Sequence, residues 1–511
     1  MADQFNPFKT GPLYDRHCPR WRMEIDFAEP TADVFAAGIH LAKFSAKEQD
    51  GDYDYRRSMS CPLDMIQDAI NVRVENIWRK PVQRDYTGSP YAAIIEGLVH
   101  DADGDGTTLD NFMRGVLWAY YVSGCDIVTQ MTASRLDRPI ATRADEQEAG
   151  LRPYWLRCIP LDRYDWATTG SGSFLWARYC LGMLPRTDEQ GADEQITEFL
   201  TLTGTEWRRH FARRGSSIDP RPEVVNTISG THSFGRPPII KAYFAESQRT
   251  GQAGVPISLI SRAALIAKVA LNLKSQADAE LLAAVPRWMF NGPDAPPDTY
   301  GPGTLFHSKD PESKLAVVQG DVSHIAEKRV WLLLYLSEIL RLLKFRGGMG
   351  EVEGNQGSGV KLALEMTDLQ NELRATASFM ETLEVEMMRQ AISMYTGKVV
   401  PAEDAADTIK YEVQYNRDFI LEPVETMLAN IKTFVSDCSA VADEVPEITK
   451  EMLRQLTGLL VRPESPTSEI INEQIDEADL EGFKPAGPPP IPPGLPGNEE
   501  GAPPQNDEGD E

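Results

Sequence analysis

The chain has 511 residues, 41% hydrophobic and 25% charged, with a formal charge of −26. That length exceeds one ordinary core and predicts about two to four structural units. The composition is that of a soluble globular protein. The charge argues against tight, sequence-independent nucleic-acid binding, which needs Lys and Arg to neutralise phosphates.

The acid is uneven: residues 463–511 hold one lysine, Lys484, and no arginine, so the rest lies nearer neutrality. The six cysteines form no CxxC and no cluster with histidine, which predicts reduced, buried thiols. The first residues carry no apolar signal core. The most apolar window, 330–343, is broken by Glu338 and Arg341 and falls short of the ~20 residues a membrane span needs.

In chain order, residues 1–46 read as an irregular arm with aromatic and proline residues. The apolar spacing over 64–78 predicts a helix, and 91–99 a shorter one. Thr108 reads as the cap of a helix over 109–122 that Gly124 ends. Strand character follows at 126–131, 152–166, 173–184, 195–202 and 237–244, antiparallel where the connections are short. The basic run Arg208, Arg209, His210, Arg213, Arg214 reads as a solvated turn. This half is an α+β domain.

Helices dominate beyond it. Residues 255–285 are rich in Ala and Leu and free of glycine, with Pro256 in the first turn, where a missing N–H costs nothing. A Pro/Gly-rich segment, 286–303, leads to a second apolar helix around Trp331. A glycine cluster over 345–359 precedes a long helix to about 396. Its Leu362, Met366, Leu369, Leu373, Thr376, Met380, Leu383, Met387, Gln390 and Met394 recur in steps of four and three. That near-heptad seam reads as a helix packed in a core, with a free coiled coil as the alternative. Residues 409–419 alternate like a lone strand whose partners must lie before residue 250. Two helices follow, 423–438 and 446–460, then a low-complexity end from about 481, expected to be disordered.

No motif carries catalysis. Asp101-Ala-Asp-Gly-Asp-Gly106 imitates a calcium loop, but the twelfth position is Phe112 where a bidentate Glu is required. The reading is an acidic turn before a helix capped by Thr107 or Thr108. The glycines at 347–350 and 354–359 lack the Gly-Lys-Ser/Thr and preceding strand of a phosphate loop, and Glu351 and Glu353 repel phosphate. The seven histidines lie apart, and no nucleophile signature occurs.

Four stretches occur in a telling order. Asp103-Gly-Asp-Gly-Thr-Thr-Leu-Asp-Asn-Phe112 leads through a helix to Ser123-Gly-Cys-Asp-Ile-Val128. Arg152-Pro-Tyr-Trp155 stands with Pro160 and Asp165-Trp166. Gly235-Arg-Pro-Pro-Ile-Ile240 comes next, then a helix leaving through Ala284-Val-Pro-Arg-Trp-Met-Phe-Asn-Gly292. The set resembles the portal proteins of tailed bacteriophages, over about residues 50–460. These form the head-to-tail connector, a ring at one capsid vertex through which DNA passes. The acidic, proline-rich tail departs from the family pattern.

The resemblance implies a portal-type α+β fold: an arm (1–46), an α/β wing (47–252), a first stem helix (253–285), a clip (286–321) and a second stem helix (322–345). A tunnel loop (346–358), a long channel helix (359–398), a returning wing strand (399–420), a small helical crown (421–462) and the acidic tail (463–511) complete it. It also implies a homododecamer without enzymatic activity or cofactor, assembled in host cytoplasm and resident in the virion. Its partners would be double-stranded DNA, bound non-specifically, the large terminase subunit, the major capsid and scaffolding proteins, and a head-completion or tail adaptor protein. No membrane is involved.

The tunnel-loop residues would be Arg346, Gly347, Gly348, Met349, Gly350 and Glu351, with Met349 nearest the DNA. Lys328, Arg329, Arg341 and Lys344 would line the channel. Two rivals stand beside this reading. One is a non-viral oligomeric helical scaffold that uses the 362–394 seam. The other is an enzyme that uses His100 with the Asp101–Asp105 carboxylates.

Overall fold

The chain divides into two units, Met1–Phe419 and Ile420–Glu511. The computed structural model describes residues 6–61, 64–131, 151–187, 193–214, 222–283, 287–291, 314–318, 323–344, 359–401, 408–417 and 419, all in the first unit. The crown and tail segments, 421–462 and 463–511, and the tunnel-loop residues lie outside them. The described residues form a mixed α+β fold.

The N-terminal segment corrects the irregular arm. Pro12–Ala28 is a helix, α1, which opens with Pro12 in its first turn. Trp21, Met23, Phe27 and Ala28 are buried along it. Of the residues that suggest irregularity, Pro12 begins the helix, Pro19 lies inside it, and Trp21 and Phe27 belong to its core face. Two short helices follow, α2 (Ala32–Ala36) and α3 (Asp50–Ser58).

Next come α4 (Met65–Ile77), strand β1 (Gln83–Asp85), α5 (Ala92–His100) and α6 (Leu109–Val122). The α6 N-cap is Thr108, whose hydroxyl accepts from the Asn111 N–H at 3.4 Å. Gly124 closes α6 with φ +75, and a Cβ there would meet Pro256 and Tyr243 within 2.9 Å.

Two antiparallel sheets make the body. In the first, β2 (Cys125–Met131) lies between β3 (Pro153–Cys158) and β9 (Ile239–Ala242). The second is a five-stranded meander in chain order: β4 (Arg163–Thr168), β5 (Phe174–Thr187), β6 (Asp193–Leu202), β7 (Glu206–Arg213) and β8 (Glu223–Thr231). The basic run expected as a turn is therefore strand β7. Its Arg209 is buried, paired with Glu198 and donating to the Tyr154 hydroxyl at 2.6 Å. The strand buries Arg209 and His210 and leaves Arg208 exposed, which a count of charges does not reveal.

Trp21 of α1, Val128, Cys158, Trp166, Phe174, Tyr179, Leu200 and Val255 share one core cluster across the two sheets. Within it Asp126 accepts from Arg163 at 2.7 Å, from the Tyr179 hydroxyl at 2.9 Å and from the Tyr243 hydroxyl at 2.5 Å. Arg163 also donates to the Gly254 carbonyl at 2.6 Å and lies 4.2 Å from the Trp166 ring centroid. A buried charge paired and hydrogen-bonded in this way is tolerated where an isolated one is not.

Beyond the sheets, Ala245–Glu246 (β10) pairs with Pro256–Ile257 (β11). The following helix, α7, is Ser261–Ala283. It starts later than the helix propensity of 255–285 suggests, because this bridge holds its first residues extended. Strands β12 (Arg287–Asn291) and β13 (Lys314–Val318) form an antiparallel pair between α7 and α8 (Ser323–Leu342). The longest helix, α9 (Gly359–Thr396), packs on β2, β3, β9 and α4. Its seam residues Leu369, Leu373, Thr376, Met380, Leu383, Met387 and Gln390 are buried within the chain.

The strand expected over 409–419 is shorter, β14 (Glu412–Gln414), and it pairs with β1. The return to the first half is held by Glu384 of α9, fully buried, which accepts from Arg84 Nε at 2.6 Å and from the Tyr415 hydroxyl at 2.5 Å. The Tyr411 hydroxyl bonds the same carboxylate.

Candidate functional site

Helices α7 and α8 pack against each other. Each nevertheless keeps large apolar side chains in solvent. Leu265, Val269 and Leu281 on α7, with Val330, Trp331, Leu333 and Leu334 on α8, are between 43% and 57% exposed. On α8 the spacing i, i+1, i+3, i+4 spreads them over a broad arc, wider than one stripe turned to a single neighbour. Apolar patches on that scale mark interaction surfaces.

The four basic candidates on this helix and its end stand in different surroundings. Lys328 is ion-paired with Glu280 of α7, which ties the two helices together. Arg329 is exposed. Arg341 pairs with Glu338 one turn away, at 2.6 Å. Lys344 reaches Glu372 of α9 at 3.3 Å and has φ +52, which ends the helix in a left-handed turn. The structure therefore places all four along one helix, with three of them offset by carboxylates. Arg346, Gly347, Gly348, Met349, Gly350 and Glu351 lie outside the described residues.

Arg73 of α4 anchors the point where α8 ends. It is 1% exposed and donates to the Leu343 carbonyl, to the Ala69 carbonyl at 2.9 Å and to Glu372 at 3.0 Å. One guanidinium thus joins α4, the last turn of α8 and α9. The sequence reading passed over it, yet the signal was present. Ile66, Ala69, Ile70, Arg73 and Ile77 share one helical stripe, and an arginine in an apolar stripe needs buried partners.

The Asp101–Gly106 turn is closed on itself. Asp101 accepts from the Gly104 N–H at 2.7 Å and the Gly106 N–H at 3.0 Å, and it pairs with Arg152. Asp103 accepts from the N–H groups of Asp105 at 2.9 Å and Thr107 at 3.2 Å. Both carboxylates serve the loop as turn-forming acceptors. Among the described residues no group of three His, Cys, Asp or Glu could hold a metal ion. No described helix is long and apolar enough to cross a membrane.

A cleft of about 300 Å³ lies between the β4–β5 turn, β9 and α9. Its Lys241 is held by Glu246 at 2.9 Å and by the Gly172 carbonyl at 2.6 Å, and its Glu386 by Arg389. These charges are neutralised inside the fold.

One glutamate stands apart. Glu24 of α1 is buried against the start of α7, bonded by the Ser261 hydroxyl, with Arg20 at 3.4 Å. Burial raises its pKa to about 7, against the lowering effects of Ser261 and Arg20.

No protein-family model matches the chain, and no curated protein matches it.

Proposed function

We propose that the chain is the subunit of a portal-type ring, the channel for DNA packaging and ejection at one capsid vertex. The observation that carries this reading is the α7–α8 pair, whose large apolar side chains remain exposed. A single copy leaves this surface incomplete, and identical copies side by side complete it. The order of elements supports the same reading: helix, two-stranded pair, helix, glycine-rich segment, long helix. So does the seam of α9. The scaffold reading puts its oligomer contact there, whereas β2, β3, β9 and α4 of the same chain pack on that helix.

In this role the charge has a mechanical use. Fixed arginines facing a duplex release counterions and hold it. On α8, Lys328, Arg341 and Lys344 are each offset by a carboxylate, leaving a wall that meets phosphate weakly. In the portal reading the tunnel loop falls at residues 346–351, a stretch whose glycines tolerate unusual backbone angles and whose Met349 offers a soft, non-specific contact. Arg73 fixes its starting point. DNA is the cargo, and terminase, capsid, scaffolding and adaptor proteins are the docking partners.

Deleting residues 347–350 leaves ring assembly intact and impairs packaging, read as DNA protected inside particles. A deletion variant that packages full genomes refutes the gating role.

A further inference from the structure

The two edges of the five-stranded sheet are treated differently. At the β4 edge the N-terminal segment closes the sheet. The Gly11 N–H donates to the Tyr164 carbonyl at 2.8 Å, the Lys9 carbonyl accepts from Arg178, and α1 packs on β4. At the other edge stands β8, nine residues long. Glu223, Val224, Val225, Asn226 and Thr227 are all exposed, Val224 and Val225 at 37% and 38%, and the Thr227 hydroxyl bonds His210 at 3.1 Å.

The phase of the ladder identifies the open groups. The His232 N–H bonds the Thr205 carbonyl at 2.9 Å, and the register continues through Trp207↔Gly230 and Arg209↔Ile228. Antiparallel alternation directs those residues to β7 and turns the N–H and C=O of Thr227, Ser229 and Thr231 outward. Among the described residues no backbone group bonds them. Among the described residues nothing but a bulge opposite Phe211–Ala212 blunts this edge. After Glu223 the strand holds no charge and no proline, and Val224, Val225, Thr227, Ile228 and Thr231 are β-branched. Soluble proteins protect such edges with Lys, Pro or a covering element.

We infer that β8 is an interface strand, completed by the backbone of a second copy of this chain. The charge pattern selects that occupant. Chains of formal charge −26 repel one another and approach closely only where acid is absent. Residues 224–231 are such a surface, as is the apolar arc of α8. Segments 292–313 and 345–358 of the same chain are mostly Gly, Pro and charged residues and supply no β-branched run to fill the edge. The inference rests on the ring reading. In a ring the contact is head-to-tail, so β8 lies against a different surface of the next copy.

Amide hydrogen exchange over residues 223–231, measured on the native assembly whose mass is determined in the same sample, tests it. The account predicts that the amides of Thr227, Ser229 and Thr231 exchange at least about tenfold more slowly than in the dissociated chain. Free exchange in an assembly of ring mass overturns the β8 interface and leaves the ring reading standing. A monomeric mass overturns both. Ser229→Pro removes one outward N–H and leaves the β7 ladder whole, as proline at an open edge does. It weakens association about tenfold while the unassembled chain keeps its fold. Unchanged association of a folded Ser229→Pro chain contradicts the proposal.

Discussion

The sheet body and the α7–α8 pair handle their awkward residues in opposite ways. In the body, Asp126 and Glu384 are carboxylates at 2% and 0% exposure, each matched by an arginine and two tyrosine hydroxyls of the same chain. On the helix pair, Trp331 and its apolar neighbours stay about half in solvent. A buried charge forces the chain to satisfy it internally, because the cost of failure is several kcal/mol. An exposed apolar surface carries no such penalty in a single copy and is matched from outside. The body satisfies its buried charges from within one chain, and in the proposed ring the helix pair is completed by a neighbouring copy.

The sharpest way to break this comparison is Glu384→Ala. It leaves the buried Arg84 with Asp110 in place of two carboxylates and removes the acceptor that ties Tyr411 and Tyr415 to α9. The expected loss is about 3–5 kcal/mol in denaturant unfolding of the body. A loss under about 1 kcal/mol would mean that the returning strand is held by packing alone.

Glu24→Gln comes next. The folded carboxyl, with its pKa raised to about 7 by burial, keeps its proton longer than the unfolded chain does. The wild-type protein therefore loses stability as pH rises from the ordinary glutamate range to about 7, and the penalty persists above. The amide removes it. The variant is expected to gain about 3 kcal/mol at pH 8 and nothing at pH 4. An equal effect at both pH values would place the cause in packing.

The smallest effect on folding is expected from Trp331→Ser with Leu334→Ser. Exposed substitutions of this kind change monomer stability by no more than about 0.5 kcal/mol. The same pair lowers the mass of the native assembly. A variant that unfolds earlier, or that assembles as well as wild type, erases the distinction between the two regions.

Much of the architecture is legible in the sequence because its signals are local. The Thr108 cap, the Gly124 stop and the apolar stripe over 65–77 bound their helices to within a residue or two. The orphan strand was recognisable by lacking a partner, and it pairs with Gln83–Asp85. What escaped was non-local. Helix α1 hides behind prolines whose position, not presence, decides their effect. Strand β8 offers no apolar alternation because it stands at the sheet's edge with neither face fully buried. Arg73 looks like a surface cation until α8 and α9 are brought beside it. Lys328, Arg329, Arg341 and Lys344 were found as a group by chain position, and their carboxylate partners emerged only in three dimensions.

The central claim is that this chain completes itself by closing a ring of copies. Native mass measurement of the purified assembly, with negative-stain images of the same sample, tests it most directly. The account predicts one closed species near twelve chains, reduced by the paired serine substitutions on α8. A stable monomer, or an elongated dimer or trimer unaffected by those substitutions, would contradict it.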